Sequence, residues 1–181
     1  ALHISIICSF SVLLYSNYSE RKLLILIFKP LTIILIFILA IILASWDSIS
    51  SYMIFIIMGL FFSIFGDILL MYKERFLAGM ICFLVTHLCY VQGIYSHSGF
   101  HASYILIPII CVWIYFILTV KPILSQPLKL PVVLYSLILT CLIWQSCELA
   151  FFNFNPSILL FLMGIILFAT SDWILIINKF N

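Results

Sequence analysis

Seven long apolar runs alternate with short polar breaks along the chain, at residues 1–18, 23–44, 52–72, 76–95, 103–120, 130–151 and 157–177. None shows the two-residue alternation of a barrel strand, and each is far longer than such a strand. About 20 apolar residues suffice for a helix to cross the hydrocarbon core of a bilayer. The pattern predicts an all-α polytopic transmembrane helical bundle with seven spans, forming one integral membrane domain over residues 1–181. The first run is the weakest, being short and carrying His3. The breaks hold only a few residues, which suits tight helical hairpins and leaves no room for a soluble domain.

Composition strengthens this reading. Hydrophobic residues make up 66% of the 181 and charged ones 8%, with a mean hydropathy of +1.36. That is too little charge to clothe a water-soluble surface. The net charge of +2 is too small to suggest a nucleic-acid partner, and no basic cluster is interleaved with aromatics. The six cysteines all lie inside apolar runs, without a CxxC pair or zinc-ligand spacing, and read as small packing residues. No metal or other cofactor is expected. The first run lacks a basic leader and a cleavage site, so no cleavable signal peptide is expected.

Lysine and arginine give the orientation. Arg21, Lys22, Lys73, Arg75, Lys121, Lys129 and Lys179 all follow the odd-numbered runs, whereas the other connections hold Asp47, His97 and His101 but no Lys or Arg. By the positive-inside rule the N-terminus is extracytoplasmic and the Lys179 end cytoplasmic.

Against this apolar background, five ionisable residues fall at membrane depth: Lys29, Asp67, His87, Glu148 and Asp172. Each costs roughly 2.5–3.5 kcal/mol near the bilayer centre unless paired or hydrated. Counting the helical rise, Lys29, Asp67, Tyr135 and Asp172 share one layer in the cytoplasmic half, with His87 nearer the middle and Glu148 close to the opposite face. Four helices contributing polar groups to one layer suggest a cavity, although polar glue between helices would also use such groups. Lys29 precedes Pro30, whose missing N–H frees the carbonyl of Leu26 and favours a bend beside the lysine.

Two of the acids share a pattern. Met58-Gly59 precedes Asp67, and Met163-Gly164 precedes Asp172, at the same spacing. Helices 3 and 7 would run in the same direction, so an internal parallel repeat is suggested. Gly59 and Gly164 are expected to allow close helix approach, and Gly66 and Ser171 to leave room beside each carboxyl. Two carboxyls in a low-dielectric cavity do not both ionise freely, while a lysine beside one favours its charged form. Such a pair supplies one acid and one base.

The segments FKPLT (28–32), GDILLM (66–71), FLVTHLCY (83–90), CELAFF (147–152) and LFATSDWIL (167–175) together resemble the YhhN-like lysoplasmalogenase family of integral membrane vinyl ether hydrolases. The resemblance covers helices 2 to 7. It implies eight helices where seven runs are marked here, and a bacterial inner-membrane location or its animal intracellular counterpart. It also implies a lysophospholipid substrate reached from the membrane lipids, cleaved to a fatty aldehyde and a glycerophospho-base. On that basis Asp67 and Asp172 are the expected catalytic acid/base pair, and Lys29, His87, Tyr90, Tyr135 and Glu148 the expected substrate-binding residues. His87 and Tyr90 lie three residues apart on one helix face. The competing reading is a small proton-coupled transporter that uses the same buried acids. A retinal protein is disfavoured because helix 7 offers no lysine before Lys179, and a receptor because the loops are short. The sequence leaves the oligomeric state open.

Overall fold

The computed structural model describes residues 2–19, 21–46, 49–122, 124 and 126–180. Asp47 lies outside them, and of Lys22, Lys73 and Lys179 only the backbone is described. Seven α-helices follow one another: α1 (Leu2–Tyr18), α2 (Lys22–Trp46), α3 (Ser51–Leu70), α4 (Phe76–Ser98), α5 (Leu106–Val120), α6 (Gln126–Phe152) and α7 (Pro156–Phe180). A 3₁₀ turn over Lys73–Arg75 joins α3 to α4. The chain divides into two compact units, residues 1–93 and 94–181, with the boundary inside the last turns of α4.

The seven expected spans reduce to five. Leu23–Ser45, Ser51–Leu70, Phe76–Ser98, Leu128–Phe152 and Pro156–Ile174 are long and apolar enough to cross a bilayer, whereas α1 and α5 are shorter apolar helices. The 15 residues of α5 rise only about 22 Å, less than the roughly 30 Å of hydrocarbon. The apolar run from residue 103 overstated this helix because its first residues form a connector. Apolarity marks what avoids water, and an apolar connector folded against a helix satisfies the same pattern. The seven-helix order itself is as expected, and the protein is an all-α polytopic bundle with five spans among the described residues.

In the first unit α1 packs on α2, and α2 on α3. A buried hydrogen bond of 2.8 Å links Ser9 Oγ and Thr32 Oγ1 across the first pair. Thr32 Oγ1 also reaches back to the carbonyl of Phe28 at 2.7 Å, beside Pro30 inside α2. Ser50 caps α3, its side chain accepting from Met53 N at 3.3 Å. Glycines set the α3–α4 seam. The ring of Tyr90 lies where a Cβ on Gly59 would stand, and the ring of Phe83 comes within 2.7 Å of a Cβ built on Gly66. Thr86 Oγ1 donates across this seam to the carbonyl of Gly59 at 3.1 Å. Away from these contacts Ile27, Ile41, Ile54 and Phe61 are exposed, as expected of helix faces whose solvent is lipid.

In the second unit α6 packs against both α5 and α7. Gly99 takes φ +76 at the end of α4, a left-handed backbone that favours glycine. The following connector is fastened to the C-terminal end of α6. Asn155 starts α7, its Oδ1 accepting from Ser157 N at 3.0 Å.

Candidate functional site

Asp67 is the seventeenth residue of α3, one turn before the helix ends. Its Oδ1 lies 2.9 Å from Lys29 Nζ in α2, with Asp67 nearly enclosed and the lysine side chain 35% exposed. The ammonium offsets the cost of holding a carboxylate away from water. The space beside Asp67 that a glycine was expected to leave open is filled, since Phe83 covers Gly66.

His87 and Tyr90 stand elsewhere on α4. His87 is 1% exposed and is hydrogen-bonded to the backbone of Phe83. Tyr90 covers Gly59, eight residues or about 12 Å of helix rise before Asp67. Within the first unit, then, the structure brings Lys29 to Asp67 and seats Tyr90 farther along the seam.

Asp172 is likewise the seventeenth residue of its helix, α7, but its partner is a phenol. The hydroxyl of Tyr135 in α6 donates to Asp172 Oδ2. Both residues line a cavity of about 340 Å³ between α5, α6 and α7, walled mainly by apolar side chains such as Phe116, Leu139 and Ile143. Trp113 Nε1 donates to Ser136 Oγ at 3.1 Å across the same wall. Trp173 completes it, its indole meeting the Phe116 ring edge-on at 5.3 Å. Asp67 and Asp172 lie in different units.

Glu148 belongs to neither carboxyl environment. It lies thirteen residues beyond Tyr135 on α6, about 20 Å of rise, and is fully buried. Its Oε1 accepts from Ser103 N at 2.9 Å, Ser103 Oγ at 2.8 Å and Trp144 Nε1 at 2.8 Å. The neighbouring Gln145 donates to the carbonyl of His101 at 3.2 Å, and the His101 ring stacks on Phe152 at 4.8 Å. Glu148 therefore holds the connector after α4. Sequence reasoning missed Ser103, Trp144 and Trp113. The four-residue spacing of Trp144 and Glu148 was a readable sign of a shared helix face; nothing local pointed to Ser103 or to the Trp113–Ser136 contact. Among the described residues no three His, Cys, Asp or Glu side chains converge to hold a metal ion.

Chemically, Asp67 is a carboxylate held by a cation, and Asp172 a carboxyl held by a neutral donor against an apolar cavity. Comparisons with known proteins bear on what such groups serve. The model of the YhhN family matches residues 24–181. A protein of Dictyostelium discoideum described as a lysoplasmalogenase homolog is 25% identical over 161 residues, an alignment covering 73% of this chain and 52% of the relative. The chain thus spans about half the length of that curated relative. No solved structure matches the chain.

Proposed function

Because the chain belongs to the YhhN family, we propose that this polytopic membrane protein hydrolyses the vinyl ether bond of lysoplasmalogens. The observation that carries the reading is Asp172, hydrogen-bonded by Tyr135 on the wall of an apolar cavity among lipid-embedded helices. A single-chain lipid is the substrate such a cavity suits, and a carboxyl in it can hold the proton that the chemistry needs.

The reaction begins when a carboxyl transfers its proton to the vinyl carbon remote from oxygen, leaving an oxocarbenium ion and a carboxylate. Water adds to the carbon bearing the oxygen, and its released proton returns to a carboxylate. The resulting hemiacetal breaks its bond to the glycerol oxygen, which takes up a proton. The products are a fatty aldehyde and a glycerophospho-base. The division of labour parallels that of glycosidases. Asp172 is assigned the proton donor, because its partner is neutral. Asp67, held by Lys29, is proposed to be needed for the same turnover, a role its own variant tests. In the first unit, the ends of α2, α3 and α4 that lie beside Arg21, Lys22, Lys73 and Arg75 are assigned to the cytoplasmic face.

The test is aldehyde release from a synthetic lysoplasmalogen by purified protein, beside Asp67→Asn and Asp172→Asn variants that retain wild-type helicity. Release by the wild type, lost in either variant, supports the reading. The Lys29–Asp67 pair, with its acid buried and its lysine partly exposed, also suits a proton-coupled transporter. Proton flux in proteoliposomes without aldehyde release, in detergent or in lipid, would select that alternative.

A further inference from the structure

The geometry points to a hydrocarbon ruler in the second unit: a single lipid chain lies between α5, α6 and α7, its oxygen-bearing end beside Asp172 and its far end against Ile143 and Ile166. The inference rests on the proposed hydrolase reading for the identity of the head, but not for the presence of the chain.

Position along the helices defines the two ends. Ile143 lies eight residues beyond Tyr135 on α6, and Ile166 six residues before Asp172 on α7, and all four line the cavity. The helical rise makes these separations about 12 Å and 9 Å. The hydroxyls along the walls are already engaged. Ser136 accepts from Trp113, Thr140 Oγ1 donates to the carbonyl of Ser136 at 2.7 Å, and Thr170 Oγ1 donates to that of Ile166. Among the described residues no Lys or Arg lines the cavity, so a phosphate meets no cation from them there. The buried Trp173 Nε1 has no hydrogen-bond partner among the described residues, and it sits next to Asp172 in the chain. Polarity available to an occupant thus gathers at the acid, and the remaining length is hydrocarbon surface. A volume of about 340 Å³ is near the lower end of the roughly 300–1,000 Å³ of small-molecule sites, enough for one chain rather than two.

Ile143 is the wall residue to change. Ile143→Phe shortens the space beyond the acid, and Ile143→Ala lengthens it. Turnover of octenyl and hexadecenyl lysoplasmalogens is compared in both variants and the wild type. The ratio of kcat/KM for the short chain over the long one is expected to rise about tenfold in Ile143→Phe and to fall in Ile143→Ala, the scale of discrimination that a few methylenes provide. Equal ratios in all three proteins, at wild-type helicity, would overturn the ruler.

A binding measurement separates this inference from the hydrolase reading. Alkyl-ether lysolipids brominated along the chain cannot be hydrolysed, and they quench nearby indoles. Quenching is expected to fall sharply when Trp113 and Trp173 are both replaced by Phe. Quenching undiminished by that change, from bulk lipid or from another segment filling the cavity, would remove the ruler even if aldehyde is released. Quenching that follows the two indoles in a protein releasing no aldehyde would keep the ruler and remove the hydrolase.

Discussion

Met58–Leu70 in α3 and Met163–Leu175 in α7 carry the same Met-Gly pair and the same spacing to an aspartate, and each acid is the seventeenth residue of its helix. Their surroundings diverge at every other point. Gly59 is covered by the Tyr90 ring, while no described atom lies within 4 Å of a Cβ built on Gly164. Asp67 is buried against an ammonium; Asp172 is half-buried against a phenol and borders a cavity. A repeated pattern therefore sets the position of an acid along its helix, whereas the neighbouring helix decides what kind of acid it becomes. One copy has been drawn into a packed, ion-paired seam, and the other faces space a ligand can occupy.

The largest effects come from removing each acid in turn. Asp172→Asn is expected to lower aldehyde release by roughly 10²–10⁴-fold, the usual contribution of a positioned proton donor, with thermal stability close to wild type. Asp67→Asn is expected to lower release and stability together, because it strands the Lys29 ammonium. Adding Lys29→Met should restore stability without restoring release. A double-mutant cycle on melting would then give a coupling of about 1–3 kcal/mol, toward the lower figure because the lysine is partly exposed. Zero coupling would mean that the ion pair does not distinguish the two copies.

The glycines sharpen the same contrast. Gly59→Ala places a methyl against the Tyr90 ring and is expected to destabilise by about 1–3 kcal/mol, as overpacking does. Gly164→Ala meets nothing and should be neutral, or stabilising by up to about 1 kcal/mol through helix propensity. Equal melting shifts for the two variants would erase the difference between the copies.

These particulars show what a linear reading can reach. The seven helices and the membrane setting follow from local hydrophobicity, so they were legible. Counting residues put Lys29, Asp67, Tyr135 and Asp172 at one level without saying which of them meet; the Lys29–Asp67 and Tyr135–Asp172 partners are known only from the structure. Span number was not legible, because α1 and α5 are apolar but short, and the run that ends in α5 begins with the connector residues Ser103–Ile105. The filling of Gly66 by Phe83, the openness around Gly164 and the attachment of Ser103 to Glu148 depend on which faces of distant helices meet. No local period encodes that.

Tyr135→Phe tests the half of the comparison that lies in the cavity. It removes the donor to Asp172 Oδ2 and keeps the ring in the wall. Loss of one hydrogen bond to a charged or strongly polar group is worth about 1.5–3 kcal/mol. Because Asp172 is in contact with the reacting atoms in the proposed scheme, a fall of about tenfold or more in kcat is expected, with a smaller change in KM. A change confined to KM would make the phenol a binding group only.

The smallest effect on turnover is expected at Glu148, the acid outside both copies of the pattern. Glu148→Gln keeps Oε1 as the acceptor for Ser103 and Trp144, but a neutral amide oxygen holds the three donors less strongly than a carboxylate oxygen does. Its new NH₂ also replaces Oε2, which is buried with no partner among the described residues. The connector should loosen by about 1–2 kcal/mol, seen as faster amide exchange or proteolysis near residues 99–105, while kcat/KM stays within about threefold of wild type. The order of these two readouts carries the weight. If turnover collapses while exchange at the connector is unchanged, Glu148 acts on the substrate and the two matched acids are not the whole of the chemistry. If exchange rises while turnover holds, the buried glutamate is a fastening for the chain, and burial of an acid in lipid is no sign of catalysis until its partner is known.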